Sequence, residues 1–147
     1  MLEWTGAAFL AAGVAATDAD AAEAALPFDR RRHGLIPAMG ATAIVLETAA
    51  AVAERGMEPI AELLGVHVAN SAHHLTRIDA DHVGAEMDRF LSRMEHVHGL
   101  DRRQIAPRTL YVSHESFTPG EGGSAHVEVK GLSRAFGPAW RAVTLVS

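Results

Sequence analysis

Six consecutive residues near the C-terminal end, Ser113-His114-Glu115-Ser116-Phe117-Thr118, concentrate the side chains best suited to chemistry. An imidazole titrates near neutral pH, so His114 can donate a hydrogen bond, accept one or take a proton. The flanking residues predict how this run is held. Leu110-Tyr111-Val112 is a short apolar, β-prone run, the mark of a buried strand. Ser113, His114 and Glu115 fall where that strand must end. Thr118-Pro119-Gly120 forces a turn, and Gly122-Gly123-Ser124 opens a helix predicted from Ala125 to Phe136. A strand, an ionisable side chain at its C-terminal end and then a helix N-terminus is how open α/β sheets build sites. Spacing alone also describes a capped strand end carrying a solvated histidine, and slightly favours that reading.

The chain of 147 residues is one domain's worth, able to bury ~70% of the surface its unfolded form exposes. With 48% hydrophobic residues and a net charge of −5, it carries neither a nucleic-acid footprint nor the signature of disorder. It has no cysteine, which excludes disulfides, thiolate metal sites and a cysteine nucleophile on this chain. The opening MLEWTGAAFLAAGVAAT lacks a basic flank and carries Glu3, so it reads as a buried small-residue segment and not as a signal peptide. No apolar run approaches the ~20 residues of a membrane span, because Glu47 and Glu54 interrupt the longest candidate. The expectation is a soluble, cytoplasmic protein with no nucleic-acid or membrane partner.

The elements that would position the polar run follow in order. Residues 6–16 are alanine-rich and can form a helix; residues 18–25 read as a surface connection or short helix. Pro27 and Arg30-Arg31-Arg32 mark a turn, better read as solvated than as phosphate-binding. Leu35-Ile36 and residues 43–46, with Gly40 between them, suggest a buried hairpin or bent strand pair. Residues 47–55 form a short helix closed by Gly56. Residues 59–70 are apolar and β-branched enough for a strand, with a bulge at Gly65. From Asp79 to Gly99, Val83, Met87, Phe90, Leu91 and Met94 recur at helical steps behind an Asp79 N-cap. A one-turn helical piece is expected over residues 100–105, and a final strand over residues 142–146. The sum is layered α/β: at least three strands in one sheet, with the helix of residues 79–99 packed on it.

Two histidine arrangements invite a metal. Neighbours on an extended strand point to opposite faces, so His73 and His74 do not share an ion comfortably. His82 and Glu86 sit one helical turn apart, a pairing far more often solvated. No metal is expected.

The run HESFTP resembles the HGTxTP motif of β-ketoacyl synthases, the condensing enzymes of the thiolase superfamily. In this register His114 falls on the first catalytic histidine, and Ser116 and Thr118 on the hydroxyl residues lining the phosphopantetheine channel. Glu115 replaces the usual glycine, and Gly122 stands where an aspartate is common. Residues 26–47, LPFDRRRHGLIPAMGATAIVLE, resemble the family's RPFD-x-x-RDGFVxGEGAGxxVLE. Pro27, Phe28, Asp29, Arg32, Gly34, Gly40, Ala41, Val45, Leu46 and Glu47 match, while His33, Pro37 and Met39 depart. Met39 takes the place of a glutamate that belongs to a polar network near the family's active site, which implies a rewired or abandoned network. SAHHLT resembles the family's DAxHxT, with His74 and Thr76 in register as substrate-binding positions and Ser71 in place of aspartate.

The resemblance implies the middle-to-late portion of a ketosynthase domain: a thiolase-like fold fragment, a layered sheet with helices on its faces. Residues 1–47 would end its N-terminal half and residues 48–147 begin its C-terminal half. It implies acyltransferase chemistry, the decarboxylative Claisen condensation of acyl and malonyl thioesters in polyketide or fatty-acid biosynthesis. The nucleophilic cysteine and second histidine lie outside this chain, so the chain alone is expected to be inactive. No cofactor is implied beyond phosphopantetheine carrying the substrates; the implied partners are an acyl carrier protein and further copies of the chain. Two other classes stay open. One is a non-catalytic ketosynthase-like binding or dimerisation module, towards which Met39 and Gly122 lean. The other is a histidine-based hydrolase or metalloenzyme using His114 with Glu115, which no ligand spacing supports.

Overall fold

The computed structural model describes residues 2–73, 78–119 and 123–147, with side chains from Trp4 onward. Its elements are α1 (Leu2–Ala11), α2 (Ala21–Ala24), α3 (Ala49–Arg55), α4 (Ala80–His98), α5 (Arg102–Ile105), β1 (Leu110–Val112), α6 (Ser124–Phe136) and β2 (Thr144–Val146). Two 3-10 turns, Ala106–Arg108 and Gly137–Ala142, lead into the strands.

Local chemistry sets the helix ends. Asp79 caps α4 by accepting from the backbone N–H groups of Asp81 and His82, and Gly99 closes it in the left-handed region at φ 65°. Thr48 and Gly56 do the same for α3, and Asp20 caps α2. In α6 the buried residues Ser124, Val127, Glu128, Gly131, Leu132 and Ala135 fall on one face at three- and four-residue steps. That face meets α4 through glycines: a Cβ on Gly131 would lie 2.5 Å from Met87 Sδ, and one on Gly84 3.1 Å from Arg134 Cδ. Ala106, Leu132, Ala135, Phe136 and Val143 form the core, with Met87, Leu91, Tyr111 and Leu145 packed against it. β1 and β2 pair in parallel, Leu110 opposite Thr144 and Val112 opposite Val146, with α6 as the crossover between them. Arg102 fastens α5 to both helices, donating to Asp88 Oδ1 and Ala135 O at 2.6 Å each and to Glu95 Oε1 at 2.9 Å. The hydrogen bonds from Arg102 hold the Glu95 carboxyl below its ordinary pKa.

Helix and a parallel strand pair together are consistent with the α/β class. The expected sheet is smaller than anticipated: among the described residues it has two strands, not three or more. The helix of residues 79–99 packs chiefly on α6 and reaches the strands through the shared core. Residues 59–70 run without regular structure and are almost wholly exposed. A β-prone run needs a neighbour to satisfy its backbone, and this one instead hands carbonyls to α4 side chains, Leu64 to His98 and Val66 to Arg93. Gly65 is not a bulge; a Cβ there would lie 2.8 Å from Met94 Cε. Nor do residues 35–36 and 43–46 form a buried hairpin. Leu35 bridges Ala15 in parallel, whereas Ile44 and Val45 are more than four-fifths exposed. The N-terminal segment is a helix but not a buried one, with Trp4 and Leu10 facing solvent. Among the described residues no helix is long and apolar enough to cross a membrane.

Leu132 is fully buried at the centre of this core. Leu132→Ala should therefore cost about 2–5 kcal/mol of unfolding free energy. Val97→Ala, at a largely exposed α4 position, should leave the urea midpoint nearly unchanged. Equal midpoints for the two variants would show that the core has been placed wrongly.

Candidate functional site

Ser113 extends the parallel ladder by one bond, its N–H donating to Val146 O at 2.8 Å. Beyond it the chain is held by side chains. Glu128, on the buried face of α6, reaches back to accept from Ser113 Oγ and, at 3.0 Å, from the backbone N–H of His114. It also hydrogen bonds the Tyr111 hydroxyl. Burial, the Glu128 charge and that bond push the Tyr111 phenol up to about 12.

The next turn is organised by Glu115, whose side chain has no exposed surface. Its Oε1 accepts from the Phe117 N–H at 3.1 Å and lies 3.5 Å from Arg32 Nε. Its Oε2 accepts from Ser124 Oγ at 3.0 Å. Ser124, almost wholly buried at the start of α6, in turn meets the Ser116 N–H at 2.8 Å and Ser116 Oγ at 3.0 Å. Ser116 Oγ stands 3.1 Å from Thr118 Oγ1. Phe117 is left in the left-handed region, φ 58°, which a bulky side chain adopts only when its surroundings impose it. Glu115 on its N–H and the Gly34 N–H on its carbonyl, 3.0 Å away, supply that constraint. Arg32 adds a bond to Thr118 O at 3.2 Å. On its other side Gly34 lies against the backbone of Ala15 and Ala16, which only a residue without a Cβ can do; one would sit 2.5 Å from the Ala15 carbonyl carbon.

The structure thus brings Ser116 and Thr118 together in one half-buried cluster. It holds the backbone of His114 beside them and leaves the His114 side chain exposed. His74 and Thr76 lie outside the described residues, as does Gly122. Of the arginine turn, Arg31 is solvated and paired with Asp29 and Glu23, but Arg32 is largely buried against Glu115. Glu115, the departure from the family motif, becomes the centre of the network. Met39 is exposed and takes no part in it. His33 sets its Nδ1 3.0 Å from Arg31 O and pairs with Asp18; the bond to the Arg31 carbonyl first, and then that to Asp18, raise its pKa.

Sequence reasoning missed Arg32, Glu115, Ser124 and Glu128 as one unit. The available signal was periodicity, since Ser124 and Glu128 occupy apolar-face positions of α6, where a polar residue needs a partner. On α4, Glu86 pairs with His67 at 2.7 Å and with Arg89, and its carboxyl is lowered chiefly by the His67 bond. A shallow cleft of ≈ 420 Å³ lies there, between residues 67–69 and α4. Among the described residues no three metal-ligating side chains converge.

Tyr111 is the one tyrosine of the chain, so its titration can be followed directly. Its raised pKa means that the phenol keeps its proton in the folded protein, a stabilising preference fully present below pH 10 and lost as pH rises through about 12. Phenolate absorbance at 295 nm should rise near pH 12, and earlier in Glu128→Gln, which removes the facing charge. A midpoint near 10 in the folded wild type would contradict this environment.

A stretch of 72 residues, 49% of this chain, is 38% identical to the ketoacyl synthase alpha subunit of the tetracenomycin polyketide synthase of Streptomyces glaucescens. The match spans 16% of that subunit, so the chain corresponds to a minor part of its relative's length. No family model matches the chain, and no solved structure matches it. Across 49% of its length the chain is similar to part of a polyketide ketosynthase.

Proposed function

We propose that this chain is part of a β-ketoacyl synthase of thiolase-like fold, acting in the decarboxylative condensation of acyl and malonyl thioesters in polyketide biosynthesis. The observation that carries the reading is the Ser116–Thr118 hydroxyl pair, set 3.1 Å apart on a buried carboxylate hub just past the end of a parallel strand and beside an exposed imidazole. The partial identity to a ketosynthase alpha subunit also supports it.

In this reading Ser116 and Thr118 hold the phosphopantetheine arm delivered by an acyl carrier protein, and orient the malonyl thioester. Decarboxylation moves the C–C bonding pair onto the thioester, and charge develops on its oxygen as an enolate forms. The His114 N–H donates to that oxygen. Glu128 grips the His114 backbone and Ser113 but leaves the ring free for this contact. Acyl attachment needs a thiolate, and this chain has no cysteine, so that group comes from elsewhere. His74 and Thr76 are further substrate-contacting positions in this reading.

A second reading, a non-catalytic binding or dimerisation module, is favoured by Glu115 standing where the family has glycine. The exposed apolar residues Ile44, Val45, Ile60 and Val68 also suit a surface made to be covered, by a further copy of the chain or by another partner.

The test joins the chain to a segment supplying the cysteine and second histidine, and follows acylation and carbon dioxide release separately. His114→Ala should slow carbon dioxide release by roughly a hundred- to a thousandfold, the ~3–4 kcal/mol typical of one lost donor, with far less effect on acylation. His73→Ala should cost much less. Equal losses in both steps would reduce His114 to a structural role, and unchanged carbon dioxide release would favour the non-catalytic module.

A further inference from the structure

Donor counting fixes where the hydroxyl protons of the site must point. Glu115, as a carboxylate beside Arg32, can only accept hydrogen bonds. Ser124 Oγ has one proton and spends it on Glu115 Oε2. At its 3.0 Å contact with Ser116 Oγ, Ser124 must therefore accept, and the proton there belongs to Ser116. Ser124 accepts from the Ser116 N–H as well, which fills both its lone pairs. Ser116, having given its proton to Ser124, can only accept at its 3.1 Å contact with Thr118. The proton there is that of Thr118. One direction runs through the whole chain, from Thr118 to Ser116 to Ser124 to Glu115. The reverse direction would leave the Ser124–Glu115 contact without a proton.

Thr118 and Ser116 consequently keep free lone pairs and no free proton. Both are half-buried and retain solvent-facing surface. We infer that this pair selects hydrogen-bond donors: the part of the substrate arm that meets the loop does so with an amide N–H, not with its carbonyl. The selection arises from Glu115, where the resembling motif has glycine and so no buried acceptor to set the direction. This deepens the function proposed above and rests on it for the identity of the arm.

The test compares N-methylacetamide, which carries an N–H, with N,N-dimethylacetamide, which does not, by NMR titration of the Ser116 and Thr118 backbone amides. N-methylacetamide should shift both resonances and bind about tenfold more tightly, the value of one neutral hydrogen bond. In Glu115→Gln the preference should vanish, because a side-chain amide can donate to Ser124 and let the chain reverse. Should that variant fail to fold, the double variant Ser116→Ala/Thr118→Val, which removes both acceptors, should abolish N-methylacetamide binding while α4 and α6 resonances stay in place. Equal binding of the two amides, tighter binding of the dimethyl compound, or no shift with either would overturn the inference. Pantetheine, titrated in parallel, should shift the same two amides. Failure of pantetheine alone would overturn the substrate-arm reading and leave the donor selectivity standing.

Discussion

A carboxylate with no exposed surface is costly to bury unless its oxygens are matched by donors, and Glu115 is matched on both. Those donors come from three separate stretches: Arg32 from the N-terminal quarter, Phe117 from its own turn and Ser124 from the start of α6. The carboxylate therefore fastens together segments that the apolar core does not reach. The strained backbone at Phe117 and the hydroxyl pair beside it are secured by this one contact set. In a medium of low dielectric such a network is stiff when complete and unstable when one member is lost.

Beneath it lies a second, apolar level of order. The unit β1–α6–β2, with α4 laid across α6 and Arg102 tying the ends, gives the loop after β1 a rigid base. Glu128 joins the levels, since it sits on the buried face of α6 and holds the strand end through Ser113 and His114. The result is a division of labour within a few residues. Backbone and carboxylates are fixed inward, while the His114 ring and the free lone pairs of Ser116 and Thr118 remain available outward.

Much of the helical framework was legible in the sequence because its signals are local. Asp79 and Gly99 bound α4, Gly56 ends α3, and the breaks at Gly123 and Gly137 bracket α6. The short strands at residues 110–112 and 144–146 were legible from their apolar runs, but β1 is not the buried strand expected: Tyr111 alone turns to the core, and Leu110 and Val112 are exposed. Residues 59–70 carry the same kind of run and form no strand, because strand formation depends on a neighbour that propensity cannot report. The site was half legible. A motif located His114, Ser116 and Thr118, but nothing local marked Glu115 as the hub. Its partners Arg32 and Ser124 lie far along the sequence or on another element, and a lone Arg in an arginine-rich turn looks solvated until its partner is known.

The most direct test of this account is backbone hydrogen exchange compared between wild type and Arg32→Met. If the buried contact between Arg32 and Glu115 ties the N-terminal segment to the helical core, protection should fall together at Ala16, Gly34, Leu35 and Phe117. The amides of α4 and α6 should keep theirs. Unchanged protection at Gly34 and Phe117 would show that the contact holds nothing, and equal loss throughout α4 and α6 would show that it supports the whole fold and not the site.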